Sequence, residues 1–249
     1  MHRSRPAAML ILWLGFLACE GSSLAAAPLS DVDIARLMEK GMADVSRGNP
    51  ETAIRTAYDP VIQNFETLYA RERRKVYSAR TGTEAIYYMV MSATVGDGNS
   101  GRTKGAVVAN GAWSEAHWMK GYALVELERF DEAKVALRRA LELSPLFPSV
   151  WSELGALYQL DKNWPDALKA YQEAEEGAKM IYPAGPEQTD RLTRALRGQG
   201  YVLIETDKLD EAEARYRRVL ELVPDEPGAK RELTYIANLR KQRAAEASN

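Results

Sequence analysis

A repeat with a period of about 34 residues most constrains how this 249-residue chain folds. Four short strings end in alanine, and each alanine follows a glycine by 12 residues. The four pairs are Gly41 and Ala53, Gly121 and Ala133, Gly155 and Ala167, and Gly200 and Ala212. The glycines at 121 and 155 are 34 residues apart, whereas the wider gaps leave room for short insertions and for one unit without its glycine. A repeat of this length predicts an array of stacked units.

Each unit is predicted to be two helices joined by a turn. Asp131, Pro165 and Asp210 suit the start of the second helix of a unit. Pro145 and Pro224 end that helix, because proline lacks the N–H that would continue the hydrogen bonding. The glycines carry no side chain, so they let the paired helix come close, with the small alanines opposite them. The remaining space is predicted to be filled by Leu124, Leu137, Tyr158, Tyr171, Leu203 and Tyr216.

The clearest unit has the pattern Trp151-x-x-Leu154-Gly155-x-x-Tyr158, followed by Ala167, Tyr171 and Ala174. This pattern resembles the tetratricopeptide repeat (TPR) family over residues 34–226, and most closely over 114–226. The departures are Lys120 and Gln199 at the position of the leucine, and Val219 in place of the last alanine. The resemblance implies an all-α fold, a right-handed α-solenoid of about five helical hairpins with a C-terminal capping helix.

The repeat spacing divides the chain into a leader (1–27), degenerate TPR-like helices (28–113), a TPR array (114–226) and a capping helix with its tail (227–249). The individual units are predicted at 34–67, 80–113, 114–147, 148–181 and 193–226. The charged segment 68–79 has a helical pattern and is predicted to extend a helix. Residues 182–192 contain two prolines and a glycine and are predicted to form a loop. The capping helix is predicted to bury Leu233, Ile236 and Leu239, and the chain beyond residue 240 to fray.

The first thirty residues have the pattern of a secretory signal peptide. A positive start precedes an uncharged, mostly apolar run over residues 7–18, which is short for a bilayer span, and small residues follow it. Two ways of processing remain open: cleavage near Ala25, or lipidation of Cys19, because residues 15–19 resemble a bacterial lipobox. Both predict export to the periplasm, and the second predicts a membrane tether at Cys19.

Composition excludes several classes of site. The 33 basic and 35 acidic residues nearly cancel and give no argument for nucleic-acid binding. One cysteine and two histidines can form neither an internal disulfide nor a cysteine-rich zinc site. His117 is predicted to be a core residue, because His2 and Cys19 belong to the leader and the rest of the chain has no other histidine or thiol to complete a nucleophilic triad with it. The sequence therefore predicts no enzyme, no metal and no cofactor.

Residues 96–103, GDGNSGRT, resemble a phosphate-binding loop with Arg102 at the position of the lysine. Such a loop needs a preceding strand and a parallel sheet. A helical array offers neither, so a plain inter-helix loop is predicted, and a nucleotide-binding enzyme is the disfavoured alternative. The densest basic run, 71–75, is predicted to be a solvated helix face; contact with anionic lipids is its alternative if Cys19 is lipidated.

The TPR resemblance also implies that the first helices of the units line a concave groove that binds peptide segments. The predicted groove residues are Trp118, Met119, Tyr122, Glu126, Glu153, Gln159, Arg194, Arg197, Tyr201 and Glu205. Trp118, Tyr122 and Val125 share one helix face, which indicates either packing against the preceding unit or a peptide-binding patch. The two arginines are suited to binding a carboxylate of a partner. The Lys/Asn clamp of chaperone-binding TPR domains is not matched.

These observations predict an exported protein-binding scaffold or assembly factor whose partner is a protein or peptide. The alternative within the same fold is a pilotin-like outer-membrane lipoprotein that serves a pilus or a secretion machine. That alternative depends only on size, export and TPR content, so it is an analogy at the level of the fold. The oligomeric state and the identity of the partner do not follow from the sequence.

Overall fold

The structure is a computed structural model that describes residues 27–94 and 105–247. The predictions on the leader, on Cys19 and on the loop 96–103 lie outside these residues. The described helices and strands are, in chain order, α1 (Asp31–Ser46), α2 (Pro50–Ala53), a π-helical turn (Ile54–Tyr58), α3 (Asp59–Tyr69), β1 (Lys75–Ala79), α4 (Gly82–Thr94), β2 (Ala106–Asn110), α5 (Ala112–Glu126), α6 (Phe130–Leu143), α7 (Pro148–Leu160), α8 (Trp164–Ile181), α9 (Pro186–Glu205), α10 (Leu209–Leu222) and α11 (Pro227–Ala247).

The helices from α5 to α10 form three hairpins held by the same contact. A methyl group placed on Gly155 would lie 2.9 Å from the ring of Tyr171, 16 residues later in the chain. The equivalent distances are 2.8 Å from Gly121 to Leu137 and 2.6 Å from Gly200 to Tyr216. Only glycine leaves room for the partner side chain at these crossings. The predicted all-α solenoid is therefore confirmed as the fold class.

The first hairpin uses the same contact with one residue inserted. Gly41 packs against the ring of Tyr58, which is 17 residues later rather than 16. The extra residue is absorbed by the π-helical turn, Ile54–Tyr58, because a π turn holds one residue more than an α-helical turn. The π turn therefore keeps Tyr58 against Gly41 in spite of the inserted residue, and α3 continues the helix beyond Tyr58.

The segment between the first hairpin and the array differs from the prediction. Residues 75–79 form strand β1 instead of a helix extension. The basic run 71–75, predicted to be a helix face, is not helical: it precedes that strand and enters it at Lys75. The predicted unit 80–113 contains one helix, α4, followed by the parallel strand β2, with Val76 opposite Val107. Two five-residue strands rich in valine are too short to interrupt a helical pattern visibly. The domain boundaries at 27, 113 and 226 stay predictions.

Two further boundaries differ. The prediction of a loop over 182–192 is wrong, because α9 begins at Pro186 and the inserted residues lengthen that helix. Proline fits the first helical position, and Gln188 donates a 2.7 Å hydrogen bond to the carbonyl of Tyr182. The last helix, α11, buries Ile236 as predicted and extends to Ala247. Within the described ranges, no helix combines the length and apolar character that crossing a bilayer needs.

Candidate concave groove

The first helices of the array and the last helix enclose the largest part of the groove. A cavity of about 520 Å³ lies between α7, α9 and α11. Four predicted residues line it: Gln159 from α7, and Arg194, Arg197 and Tyr201 from α9. The sequence did not predict that α11 adds Arg231 and Glu232 to the wall. Their place in the wall depends on where that helix docks.

A second cavity of about 290 Å³ continues the groove toward the end of α7. It shares Gln159 and Tyr201 with the first cavity and adds Glu153 and the exposed side chain of Leu160. On its far wall lies Val125 of α5. The two cavities therefore form one channel that follows α7 over its last three turns.

Ion pairs within the chain occupy the two predicted carboxylate-binding arginines. Arg194 Nη2 lies 2.8 Å from Glu153 Oε1, and Arg197 Nη1 lies 3.3 Å from Glu226 Oε1. Both pairs are partly exposed, so each is weak enough to exchange partners. Among the described residues, no carboxylate lies within ion-pair distance of Arg231 in the same cavity. A carboxylate that enters the groove therefore meets one guanidinium group without an ion pair, that of Arg231, which the sequence did not predict.

Tyr122 joins the α5 side of the groove to this charged cluster. Its ring is 41% exposed, and the negative charge of Glu126 raises the pKa of its hydroxyl, with a smaller contribution from Glu153. Burial raises the pKa of Tyr201, and Glu205 adds to this effect. The structure thus brings Tyr122, Glu126 and Glu153 together, and places Glu205 beside Tyr201 on α9.

Trp118 and Met119, like Tyr122, Glu126 and Glu205, line neither cavity of this channel. Trp118 is half-buried and its ring packs edge-on against Phe147, with the centroids 5.1 Å apart. It borders a third cavity of about 320 Å³, together with Arg80 and Glu115. Met119 is half-buried against the hydrophobic core and lines none of these three cavities. Trp118 therefore packs on Phe147, at the start of the following hairpin, and also faces residues of the preceding unit across this cavity.

His117 was the histidine that the sequence predicted to lie in the core. His117 is buried, and burial together with the nearby charges of Arg139 and Lys120 lowers its pKa to about 3. Within the described residues, no cluster of three or more His, Cys, Asp or Glu side chains is arranged to hold a metal ion.

A parallel pair of strands does exist, but residues 96–103 follow helix α4 and precede β2. A phosphate-binding loop needs the opposite order, strand, loop and helix.

Residues 119–181 match the tetratricopeptide repeat family. This stretch is therefore similar to tetratricopeptide repeats. It covers the predicted unit around Gly155 and most of the unit before it, so the predicted repeat is confirmed there. No curated protein matches the chain.

Two solved TPR structures resemble most of the chain. PilF of Pseudomonas aeruginosa is 14% identical, with a TM-score of 0.55, over 84% of this chain and 69% of that one. MamA (residues 41 to the end) of Desulfovibrio magneticus RS-1 is 17% identical, with a TM-score of 0.54, over 87% of this chain and 90% of that one. At these identities the likeness establishes the fold.

Proposed function

We propose that the chain is a protein-binding scaffold that holds an extended peptide segment of a partner in the concave groove. The observation that carries the proposal is the channel along α7, whose two cavities share Gln159 and Tyr201. A continuous channel with apolar rings and charged walls suits a peptide, which offers side chains and backbone hydrogen-bonding groups in a line.

The groove residues indicate what such a peptide contains. Tyr122 and Tyr201 are both more than 40% exposed and are rigid aromatic anchors for an apolar or aromatic side chain. Arg231 is the cation that an acidic side chain meets without displacing an ion pair. A second acidic side chain would have to compete with Glu153 for Arg194. We therefore expect a segment with an apolar anchor and one acidic residue.

Site-specific cross-linking in cells tests the groove. A photoreactive residue in place of Tyr201 should cross-link a defined peptide of a partner protein, whereas the same residue in place of Val135 should not. Val135 is the control because it is 64% exposed, lies on α6 and lines none of the groove cavities. Equal cross-linking from both positions, or from neither, would contradict binding in the groove.

The cross-linked segment, made as a synthetic peptide, gives the quantitative test. Tyr201→Ala should weaken its binding by tenfold or more, on the order of an interface anchor, while Val135→Ala leaves the affinity unchanged. Arg231→Gln should weaken binding only for a peptide that keeps its acidic residue. Unchanged affinity in all three variants would place the peptide elsewhere on the molecule.

We also propose that the protein is exported and that its leader decides whether it is tethered. The supporting observation is the leader pattern of residues 1–27, with Cys19 at the end of the lipobox-like string. In cells given a labelled fatty acid, the parent protein should carry the label and Cys19→Ala should lose it. A parent protein without the label would exclude tethering through a lipid on Cys19, whatever other contact holds the protein at a membrane.

The pilotin-like role remains an alternative prediction. The fold likenesses to PilF and to MamA have nearly equal TM-scores, so they do not favour one role over another. The nucleotide-binding alternative is not favoured either. Residues 96–103 follow a helix and precede a strand, which is the reverse of the order that a phosphate-binding loop needs. Arg102→Ala should leave the heat of mixing with ATP unchanged, and a binding signal in the parent protein that this variant loses would revive the alternative.

A further inference from the structure

Helix α4 has an outer face that differs from that of an ordinary surface helix. Its only charged residue is Glu84, which is fully buried. The outward positions are Ile86, Met89 and Val90, with side chains 66%, 58% and 57% exposed. Their spacing of three and four residues puts them on one side of the helix. A helix whose solvent side is apolar indicates a second surface against which that side packs.

The inner side of α4 is fixed to the rest of the protein. Glu84 forms a buried ion pair with Arg80, and the hydroxyl groups of Tyr88 and Ser144 are 3.0 Å apart in a hydrogen bond. Arg80 also donates a 3.3 Å hydrogen bond to the hydroxyl of Tyr182, at the start of the α8–α9 connection. The apolar side is therefore presented on a rigid support, pointing away from the body of the protein.

Positive charge lies near one end of α4. Strands β1 and β2 are parallel, so α4, which connects them in the chain, runs in the opposite direction. Its last turns therefore lie at the end of the strand pair where β1 begins. Arg71 and Arg73 are exposed at that end, and Leu68 beside them is 50% exposed. Residues 66–75 carry four basic and two acidic side chains, and one of the acids, Glu72, is paired with Arg74.

We infer that the outer side of α4 and the basic end formed by Arg71 and Arg73 dock onto an anionic phospholipid bilayer. Apolar side chains flanked by arginines are what an anionic membrane surface binds, through burial of the apolar groups and attraction of the cations. A second copy fits less well, because one helix about 20 Å long with three large apolar side chains falls far below the 20–30 residues per partner of a stable dimer. The contact is separate from the peptide groove and does not require a lipid on Cys19.

The test uses the full chain carrying Cys19→Ala, so that a lipid anchor cannot contribute, and vesicles of phosphatidylcholine with or without phosphatidylglycerol. The protein should sediment with the anionic vesicles and much less with the neutral ones. Ile86→Glu with Met89→Glu should reduce the bound fraction by about tenfold or more, and Arg71→Gln with Arg73→Gln should do so chiefly at low salt. Val135→Glu is the matched control, because Val135 is 64% exposed on α6, and it should bind like the parent.

The alternative occupants give different results. A dimer in sedimentation velocity that the α4 variant converts to a monomer, without vesicle binding, would assign the surface to a second copy. Absence of vesicle binding by a monomeric parent would likewise overturn the proposal and leave a protein partner for this side. Equal binding to neutral and anionic vesicles, or equal loss in the control variant, would also contradict it. Circular dichroism of each variant checks that α4 remains folded.

Discussion

The hairpins of the array and the β1–α4–β2 segment are stabilised in different ways. In the array, the same glycine-to-ring or glycine-to-leucine contact recurs three times at the same spacing. In the β1–α4–β2 segment, a few contacts without counterparts hold the structure, chief among them the buried pair of Arg80 and Glu84. A repeated contact is visible in a sequence as a period, whereas a single contact is not. The two regions should also respond differently to single substitutions.

The array should be most sensitive at its glycine crossings. Gly155→Leu places a branched side chain where even a methyl group would lie 2.9 Å from the ring of Tyr171. We expect a loss of about 3 kcal/mol or more in the free energy of unfolding, because neither helix can move without disturbing its neighbours. Urea denaturation followed by circular dichroism measures this loss. Gly82→Ala, where nothing lies within 4 Å, should change little, and a similar loss in both variants would count against the crossing.

The β1–α4–β2 segment should be most sensitive at its buried ion pair. Arg80 lies over the ring of Phe147, with its Cζ 3.5 Å from the ring centroid, and burial lowers its pKa. Arg80→Ala leaves the carboxylate of Glu84 buried without its partner, which costs about 3–5 kcal/mol. The same urea titration measures this cost.

A double variant separates the charge from the packing. Arg80→Met with Glu84→Met removes both charges and should recover most of the stability that Arg80→Ala loses. Arg74→Ala breaks an exposed pair with Glu72 and is expected to have little effect. If the double variant is as unstable as Arg80→Ala, packing on Phe147 rather than the unpaired charge is the main contribution.

The difference between the regions also explains what the sequence could predict. Gly121, Gly155 and Gly200 identified the hairpins because each recurs with the same partner spacing. Strand β1 was missed because five residues give too few positions to distinguish a period of two from a helix. The π-helical turn was invisible for a related reason, since one inserted residue does not change the composition of the helix.

Groove residues that belong to the repeat could likewise be predicted, whereas the others could not. Gln159, Arg194, Arg197 and Tyr201 line one cavity. The sequence grouped them because the repeat fixes which helices stand side by side, and their role in binding stays a prediction. Arg231 was missed, since the docking of the last helix has no repeat to indicate it. The intrachain pairing of the two predicted arginines was also out of reach, because it depends on side-chain positions across helices.

His117 should make the array sensitive to acid. Its pKa is lowered to about 3 in the folded protein by burial, so the unfolded chain binds the proton more readily. Stability is therefore unaffected well above pH 6.5 and falls as the pH decreases from about 6.5 toward 3, by up to about 1.4 kcal/mol per pH unit.

A non-titrating variant isolates this contribution. His117→Gln should reduce the loss of stability between pH 7 and about pH 5 by about 2 kcal/mol relative to the parent protein. Urea denaturation at both pH values measures the difference, and the carboxylates common to both proteins cancel. An equal loss in parent and variant would mean that His117 is protonated without unfolding, and would require an open path from solvent to the imidazole.

The smallest expected effect compares the same turn in the first hairpin and in the array. Seven residues after the glycine of each hairpin, the backbone is left-handed, at Gly48 with φ 77° in the first hairpin and at Lys162 with φ 55° in the array. A side chain at such φ costs on the order of 1 kcal/mol, which glycine avoids. Gly48→Ala should therefore lower the free energy of unfolding, and Lys162→Gly should raise it, each by about 1 kcal/mol or less. Thermal unfolding measures both, and changes of the same sign would show that the side chain of Lys162 contributes more than the backbone strain costs.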